Sequence, residues 1–442
     1  MKIGVIGAGW AGLSAAVHLD GAGHAVTVFE AAHTLGGRAR RVHAPRLGLD
    51  IDNGQHILLG AYTETLALIE SLGIARADVL HEESLALRGA DGGFRFAAPD
   101  WPAPWHLLAA VLAAKGVSWR EKWRLLAAIG QLRRRRWVVD EHLAVLPWLE
   151  QQRQSAHLIR RFWHPLCLAA LNTPLAEASA QLLATVLRDS LGGPKSASRV
   201  LIPKVDLSRL WPDRLPASLD IRRGHSVRSL TGTASQAGID GESFDAVVVA
   251  AGAQPAARLL RSLPFVPAAA PLLAGLAAME HRPIATLSLK TARPWGLPHA
   301  MLMLDEAPQR LHFGQWLFDR SAIAPSSAPT GLLSIVISDA QALARLPRDQ
   351  VVAAIIEQVR EQAAGFAPMP EIVADELIVE KRATFAALPA MQRPGNATPW
   401  PGIWVCGDWT DTGYPAVLEG AVRSGKRAAE LIAADSKPGA TP

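Results

Sequence analysis

The chain has 442 residues, 49% of them hydrophobic and 19% charged, with 45 Lys and Arg against 40 Asp and Glu. That length exceeds one ordinary compact core, so two domains, or one domain with a large insertion, are expected. The formal net charge of +5 gives no reason to invoke nucleic acid, the two distant cysteines Cys167 and Cys406 argue against a disulfide framework or a zinc site, and no run reaches the roughly 18 to 20 apolar residues that span a bilayer.

In chain order, residues 2–6 (KIGVI) read as a buried strand, 10–21 as a helix and 25–29 (AVTVF) as a second strand, together a βαβ unit. From Tyr62 to about Trp211 the pattern is mainly helical and rich in tryptophan and arginine. Residues 244–252 (FDAVVVAAG) return to a continuous apolar strand, as expected of a parallel strand buried on both faces. Short strands at 284–290, 300–304, 311–318 and 331–337, broken by Pro- and Ser-rich turns such as 324–329, suggest a mostly antiparallel sheet. A helix at 347–363, strands at 376–380 and 403–406, and a closing helix at 418–434 complete the order.

Gly7-Ala8-Gly9-Trp10-Ala11-Gly12 is a GxGxxG that follows a strand and opens a helix. Gly7 makes the tight turn, Gly9 lets a pyrophosphate approach the backbone, and Gly12 permits close helix–strand packing. The helix N-terminus offers N–H groups and partial positive charge to the phosphates. Glu30 ends the second strand, where a carboxylate accepts hydrogen bonds from a ribose diol. Next come Gly36, Gly37 and Arg38, similar to the GGR element of large FAD-dependent oxidases and desaturases, in which an arginine fork suits phosphate oxygens. The alternative for Arg38 is a solvated loop arginine. Near the other end, Gly407-Asp408 follows a strand, and Glu419-Gly420-Ala421 begins the last helix, whose N-terminus suits the flavin pyrimidine. Both ends together favour FAD over NAD.

With these residues in hand, the chain resembles the squalene-associated FAD-dependent desaturase family, within the amine oxidase and phytoene desaturase superfamily. Further motifs that carry the likeness are Asp52-Asn53-Gly54-Gln55-His56 with Gly60-Ala61-Tyr62, Lys381-Arg382-Ala383-Thr384-Phe385, Arg393-Pro394, and Gly407-Asp408-Trp409-Thr410-Asp411-Thr412-Gly413 running on to Pro415. The implied fold is amine-oxidase-like, α/β plus α+β: a Rossmann-type FAD-binding domain in discontinuous segments (1–60, 218–265 and 396–436), an inserted substrate-binding domain of antiparallel sheet covered by helices (61–217 and 266–395), and a flexible tail at 437–442. The implied cofactor set adds Asn53, Gly54, Gln55, His56 and Val227 to the motif residues above. The implied activity is reduction of hydroxysqualene to squalene, with hydride from reduced flavin and loss of water. His56, Asp411 and Tyr414 are the candidate proton donors. A carotenoid-type desaturase, an amine oxidase, and a non-catalytic FAD- or lipid-binding protein are the alternatives. No metal is expected. The absence of a second dinucleotide fingerprint leaves the flavin's electron donor unassigned.

Seven of the 14 tryptophans lie between Trp101 and Trp163, the region that also holds Arg133 to Arg136. On a helix Trp119, Trp123 and Leu126 share one side, with Arg120 and Arg124 turned away. Trp with Lys or Arg is the pattern of a helix lying in a membrane interface; the alternative is a helical cap with aromatics in its core. A cytoplasmic protein with peripheral contact to the inner face of the cytoplasmic membrane, and with no nucleic-acid partner, is therefore expected.

Overall fold

A computed structural model describes residues 1–232, 236–324 and 331–435. The expected tail at 437–442 and most of the expected turn at 324–329 lie outside them. The elements that build the site are, in chain order, β1 (Lys2–Ile6), α1 (Trp10–Gly21), β2 (Ala25–Glu30), α2 (Thr63–Ser71), α3 (Trp105–Ala113), α4 (Trp119–Arg134), β3 (Asp220–Arg223), β4 (Ala246–Val249), β5 (His281–Thr291), β6 (Met301–Met303), β7 (Trp316–Asp319), β8 (Gly331–Ser338), α5 (Arg348–Gln362), β9 (Ile372–Phe385), β10 (Ile403–Val405) and α6 (Leu418–Asp435).

One sheet is parallel, in the order β3–β2–β1–β4–β10. Its central strands are apolar because helices and loops cover both faces: Ile3, Val5, Val28, Val247 and Val248 have lost essentially all contact with solvent. The chain leaves β1 between neighbours on both sides, which opens a crevice at its carboxyl end where this topology takes ligands. Helix α1 packs there against α6 through small residues. A Cβ on Gly425 would stand 2.1 Å from the Ala11 carbonyl oxygen, and Ser14 Oγ donates to the Val422 carbonyl at 2.9 Å.

The second sheet is antiparallel, in the order β6–β7–β8–β5–β9. Helix α5 covers it, with Val351, Val352, Ile355 and Val359 packed on Leu287, Leu289, Leu333 and Ile335. Pro283, which has no N–H to donate, sits where the β5–β9 register shifts between Arg282 and Ile284.

Several boundaries differ from expectation for identifiable reasons. Strand β9 runs over 14 residues instead of the five at 376–380, because Asp375, Glu376, Lys381 and Arg382 put charge on both of its faces and break the apolar alternation. The strand expected at 311–318 begins only at Trp316, since Leu311 takes a left-handed conformation at φ 58° after a 3-10 turn. The 244–252 run splits into Glu242–Phe244 and β4. The region from Tyr62 to Trp211 includes short strands at Leu80–Glu83, Ala86–Arg88, Arg95–Ala97 and Val200–Pro203.

Replacing Gly425 with alanine should force α6 away from α1. A loss of about 1–3 kcal/mol in stability is expected, read as a lower melting temperature together with a lower flavin content after gel filtration.

Candidate functional site

The crevice beyond β1 is lined by two glycine turns laid face to face. Gly7 sits at φ 103°, a conformation that favours glycine, and a Cβ there would meet the Ala250 carbonyl oxygen at 2.9 Å. Gly12 is closer still, its Cβ falling 2.0 Å from the Gly7 carbonyl oxygen. Gly36 and Gly37 take φ 104° and 63°, Gly36 N–H donates to the Ala8 carbonyl at 2.8 Å, and a Cβ on Gly37 would come within 3.0 Å of Gly9 Cα. At Gly9 itself an added Cβ finds only Gly37 Cα, at 3.9 Å. Gly9 is also the N-cap of α1, and no side chain caps that helix. Open space over uncapped N–H groups fits a pyrophosphate. Trp10 braces the turn from below, its indole N–H donating to the Ala39 carbonyl at 3.1 Å and its ring meeting Trp211 edge-on at 5.1 Å. Glu30 accepts from Ala8 N–H at 2.7 Å and Ala32 N–H at 2.8 Å, which holds the acid at the end of β2. The loop carrying Val227 is tied to the same place by His225 N–H on the Glu30 carbonyl.

The two ends of the chain meet at Arg38. Its guanidinium donates to Asp408 Oδ1 at 2.6 Å and to the Ala383 carbonyl at 2.7 Å, and Asp408 is almost fully buried. Behind Asp408 lies a polar network that the sequence did not announce. Gly407 N–H donates to Ser424 Oγ at 2.9 Å, Thr410 Oγ1 lies 2.6 Å from the same oxygen, and Asn396 Nδ2 donates to Ser424 Oγ at 3.1 Å and to the Val405 carbonyl at 2.9 Å. All of these groups are buried, so each satisfies the others in place of water. Single polar residues scattered over 396–424 leave no periodic signal, and only the packing of α6 against β10 assembles them.

The DNGQH segment crosses β5 beside this pair. Burial pushes the Asp52 carboxyl up to about 7. Asn53 Nδ2 donates to the Arg38 carbonyl and to Glu380, each at 3.2 Å. Gly54 lies against Thr286 of β5, and Gln55 Nε2 donates to the His56 carbonyl at 2.9 Å. His56 donates from Nδ1 to the Gly54 carbonyl at 2.7 Å, a tautomer set by that acceptor, while Nε2 has no hydrogen-bond partner among the described residues. Burial, helped by the Arg38 guanidinium, lowers the imidazole below its ordinary value of 6.5.

Three expected site residues have other occupations. The Glu419 carboxylate is fully buried and accepts from Glu64 N–H, Thr65 N–H, Thr65 Oγ1 and Arg423 Nε, at 3.1, 3.0, 2.8 and 2.8 Å. It caps α2 and leaves only the backbone of Glu419, Gly420 and Ala421 to face a ligand at the start of α6. Tyr414 is buried with its hydroxyl donating to Asp189 and the Arg423 guanidinium 4.1 Å over its ring; burial and the Asp189 carboxylate raise it far above an ordinary phenol. Asp411 is exposed on the surface, 3.5 Å from Arg393. Neither therefore has the environment of a proton donor to a buried substrate.

One cleft of about 510 Å³ adjoins the Arg38–Asp408 pair, and its lining includes Gln254, Met279, His281, Lys381 and Arg382. His281 donates to the Met279 carbonyl, and burial with the nearby Arg38 charge lowers its pKa. Local sequence gives no sign of this cleft, because the pairing of β5 with β9 brings His281 beside Lys381 and Arg382 from 100 residues apart in the chain.

Fold and site together define an FAD-dependent oxidoreductase. The chain belongs to the flavin containing amine oxidoreductase family, whose model matches residues 10–433. It is 32% identical to hydroxysqualene dehydroxylase of Rhodopseudomonas palustris, covering 97% of this chain and 98% of that one, and 31% identical to the Sinorhizobium fredii protein of the same name over 98% and 99%. A 15-cis-phytoene desaturase of Synechococcus elongatus is 24% identical over 98% and 96%. Among solved structures, an oxidoreductase from Methanosarcina mazei shares the fold at a TM-score of 0.71 and 18% identity, covering 99% of this chain and 100% of that one. Cyclohexylamine oxidase from Brevibacterium oxydans does so at 0.68 and 18%, over 98% and 99%.

Changing Ser424 to alanine leaves the Gly407 N–H buried without its acceptor. A cost of about 1–3 kcal/mol is expected, visible as a lower melting temperature and as FAD lost on gel filtration that the unaltered protein retains.

Proposed function

We propose that the chain is an FAD-dependent hydroxysqualene dehydroxylase, reducing hydroxysqualene to squalene with loss of water. The observation that carries this reading is the end-to-end likeness to hydroxysqualene dehydroxylases at 32% and 31%, against 24% and 22% for desaturases of carotenoid precursors. We assign residues 1–60, 218–265 and 396–436 to cofactor binding, and 61–217 and 266–395 to substrate binding.

When bound in its reduced form, FAD supplies the hydride that replaces the hydroxyl. The glycine turns and the uncapped α1 N-terminus hold its pyrophosphate, Glu30 its ribose, and Arg38 with Asp408 closes the site from the far end of the chain. His56 handles the leaving oxygen. With Nδ1 committed to the Gly54 carbonyl, Nε2 receives the substrate hydroxyl as an acceptor when neutral and gives it a proton when charged. Departure as water rather than hydroxide requires that proton. The substrate is apolar along its whole length and dissolves in a bilayer, so peripheral contact with the inner face of the cytoplasmic membrane through the 101–163 region belongs to the same reading. Its support is the exposure of Trp101, Trp105, Trp119 and Trp123 in that region; no helix among the described residues is long and apolar enough to cross a membrane.

Anaerobic incubation of the chemically reduced protein with hydroxysqualene should yield one squalene per flavin, detected by chromatography. No squalene, with oxidation of phytoene or an amine by the oxidised protein instead, would sink the reading. Turnover per bound flavin should rise as pH falls through the lowered His56 pKa, below about 6.5, because only the charged imidazole donates. In His56→Gln the rate should drop by about 10²-fold or more and lose that acid limb.

A further inference from the structure

Helices α3 and α4 carry an unusual surface. Trp101, just before α3, and Trp105 in its first turn are 56% and 59% exposed. Trp119 and Trp123, one turn apart on α4, are 62% and 64% exposed. Leu112 adds to the same region. Large aromatics are normally among the most buried groups of a fold, and four exposed within 23 residues are not scattered surface apolars.

The geometry shows that this exposure is built in. Helix α4 presents Leu125, Ala128 and Leu132 to the core, so the tryptophans stand away from it. Its start is fixed by a capping box: Glu121 N–H donates to Ser118 Oγ at 3.3 Å and Ser118 N–H to Glu121 Oε2 at 2.7 Å. The same carboxylate takes Ser155 Oγ and His157 Nδ1. Lys122 Nζ donates to the Leu112 carbonyl at 2.6 Å and lies 4.6 Å from the Trp119 ring centroid, which ties α3 to α4 and orients that indole. The face cannot turn inward without breaking these bonds.

Its charge is one-sided. Residues 101–138 hold eight Lys and Arg and a single acid, Glu121, which is spent on the cap. Arg120, Arg133, Arg134, Arg135 and Arg136 are exposed. A second copy of the same positive face would be repelled. Tryptophan prefers the headgroup level of a bilayer, and basic residues beside it are drawn to anionic lipid.

We infer that this face is a docking surface for an anionic phospholipid bilayer, with Trp101, Trp105, Trp119 and Trp123 at the headgroup level and Arg133 to Arg136 on the lipid phosphates. Docking deepens the reading of a membrane-borne substrate and rests on it: the enzyme collects a molecule that never enters water.

The full-length FAD-loaded protein should float with vesicles of phosphatidylcholine containing phosphatidylglycerol, and weakly with phosphatidylcholine alone. Brominated lipid should quench its tryptophan fluorescence. Changing Arg133 to Arg136 to Gln should cut partition into anionic vesicles by more than about tenfold, and high salt should do the same to the unaltered protein. Trp119→Ser with Trp123→Ser should weaken partition at every salt concentration, with the thermal melt and the flavin content unchanged. Flotation of the tryptophan variant equal to the unaltered protein, absence of bromolipid quenching, or self-association through this face in gel filtration overturns the inference. Absence of flotation of the unaltered protein while it still converts micellar substrate overturns docking and leaves the dehydroxylase reading standing. Flotation intact with no squalene formed supports docking and removes that reading alone.

Discussion

The structure depends on the approach of two backbone turns that tolerate no side chain between them. Gly9 and Gly37 lie so close that a methyl group on the latter would press on the former at 3.0 Å. That contact sets where the strand–helix turn after β1 and the loop after β2 can sit, and Arg38 follows directly from Gly37. Its guanidinium then reaches Asp408, 370 residues further on. A site assembled in this way is only as rigid as the elements behind it. Small residues let α6 lie against α1, and the buried Asn396–Ser424–Thr410 network locks the Gly407–Asp408 turn to α6. The cofactor site is thus a closure between distant segments, with hydrogen bonds supplying the directionality that apolar packing lacks.

Legibility in the sequence tracked locality. The first βαβ unit and the glycine fingerprint were readable because strand, turn and helix follow one another within 30 residues, and each residue type answers a local demand. The same holds for α5 and α6, whose predicted limits fall within a residue or so of those observed. Glu419 lies beyond the reach of local sequence. Its place at the start of the last helix suggested a ligand contact, yet its carboxylate satisfies backbone N–H groups of α2, more than 350 residues away. A free helix N-terminus needs an acceptor, and nothing in the local sequence says which segment will provide it. Strand β3 is hidden for a related reason: it reads Asp-Ile-Arg-Arg, and only its parallel pairing with β2, with Arg222 held by Glu242 and stacked over Phe29, makes a strand of it.

The candidate proton donors separate by environment once the fold is known. Asp411 is in solvent, where its carboxylate is screened and paired with Arg393. Tyr414 is buried but holds Asp189 and stacks under Arg423, so its proton already has a destination. His56 keeps one ring nitrogen occupied and one open, beside the arginine that joins the two ends of the chain. An imidazole with its tautomer fixed on one side is suited to moving a proton on the other.

The tryptophans of the helical region divide in a way that core packing alone does not explain. Trp148 and Trp163 are buried, meet edge to face at 5.6 Å, and share the core with Phe96 and Phe162. Trp163 also gives its indole N–H to Gln154. This part of the fold therefore buries large aromatics and satisfies their polar edge. Trp119 and Trp123 lie on a helix whose core-facing stripe is already filled by Leu125, Ala128 and Leu132. Leaving each of the four outer indoles largely in water forgoes roughly 1.5–3 kcal/mol of burial, a cost that the Lys122 cation over the Trp119 ring offsets only in part. Polar residues at those positions would avoid that cost without disturbing the core. The proposed docking to lipid accounts for the exposed indoles, and the proposed hydrocarbon substrate gives it a reason.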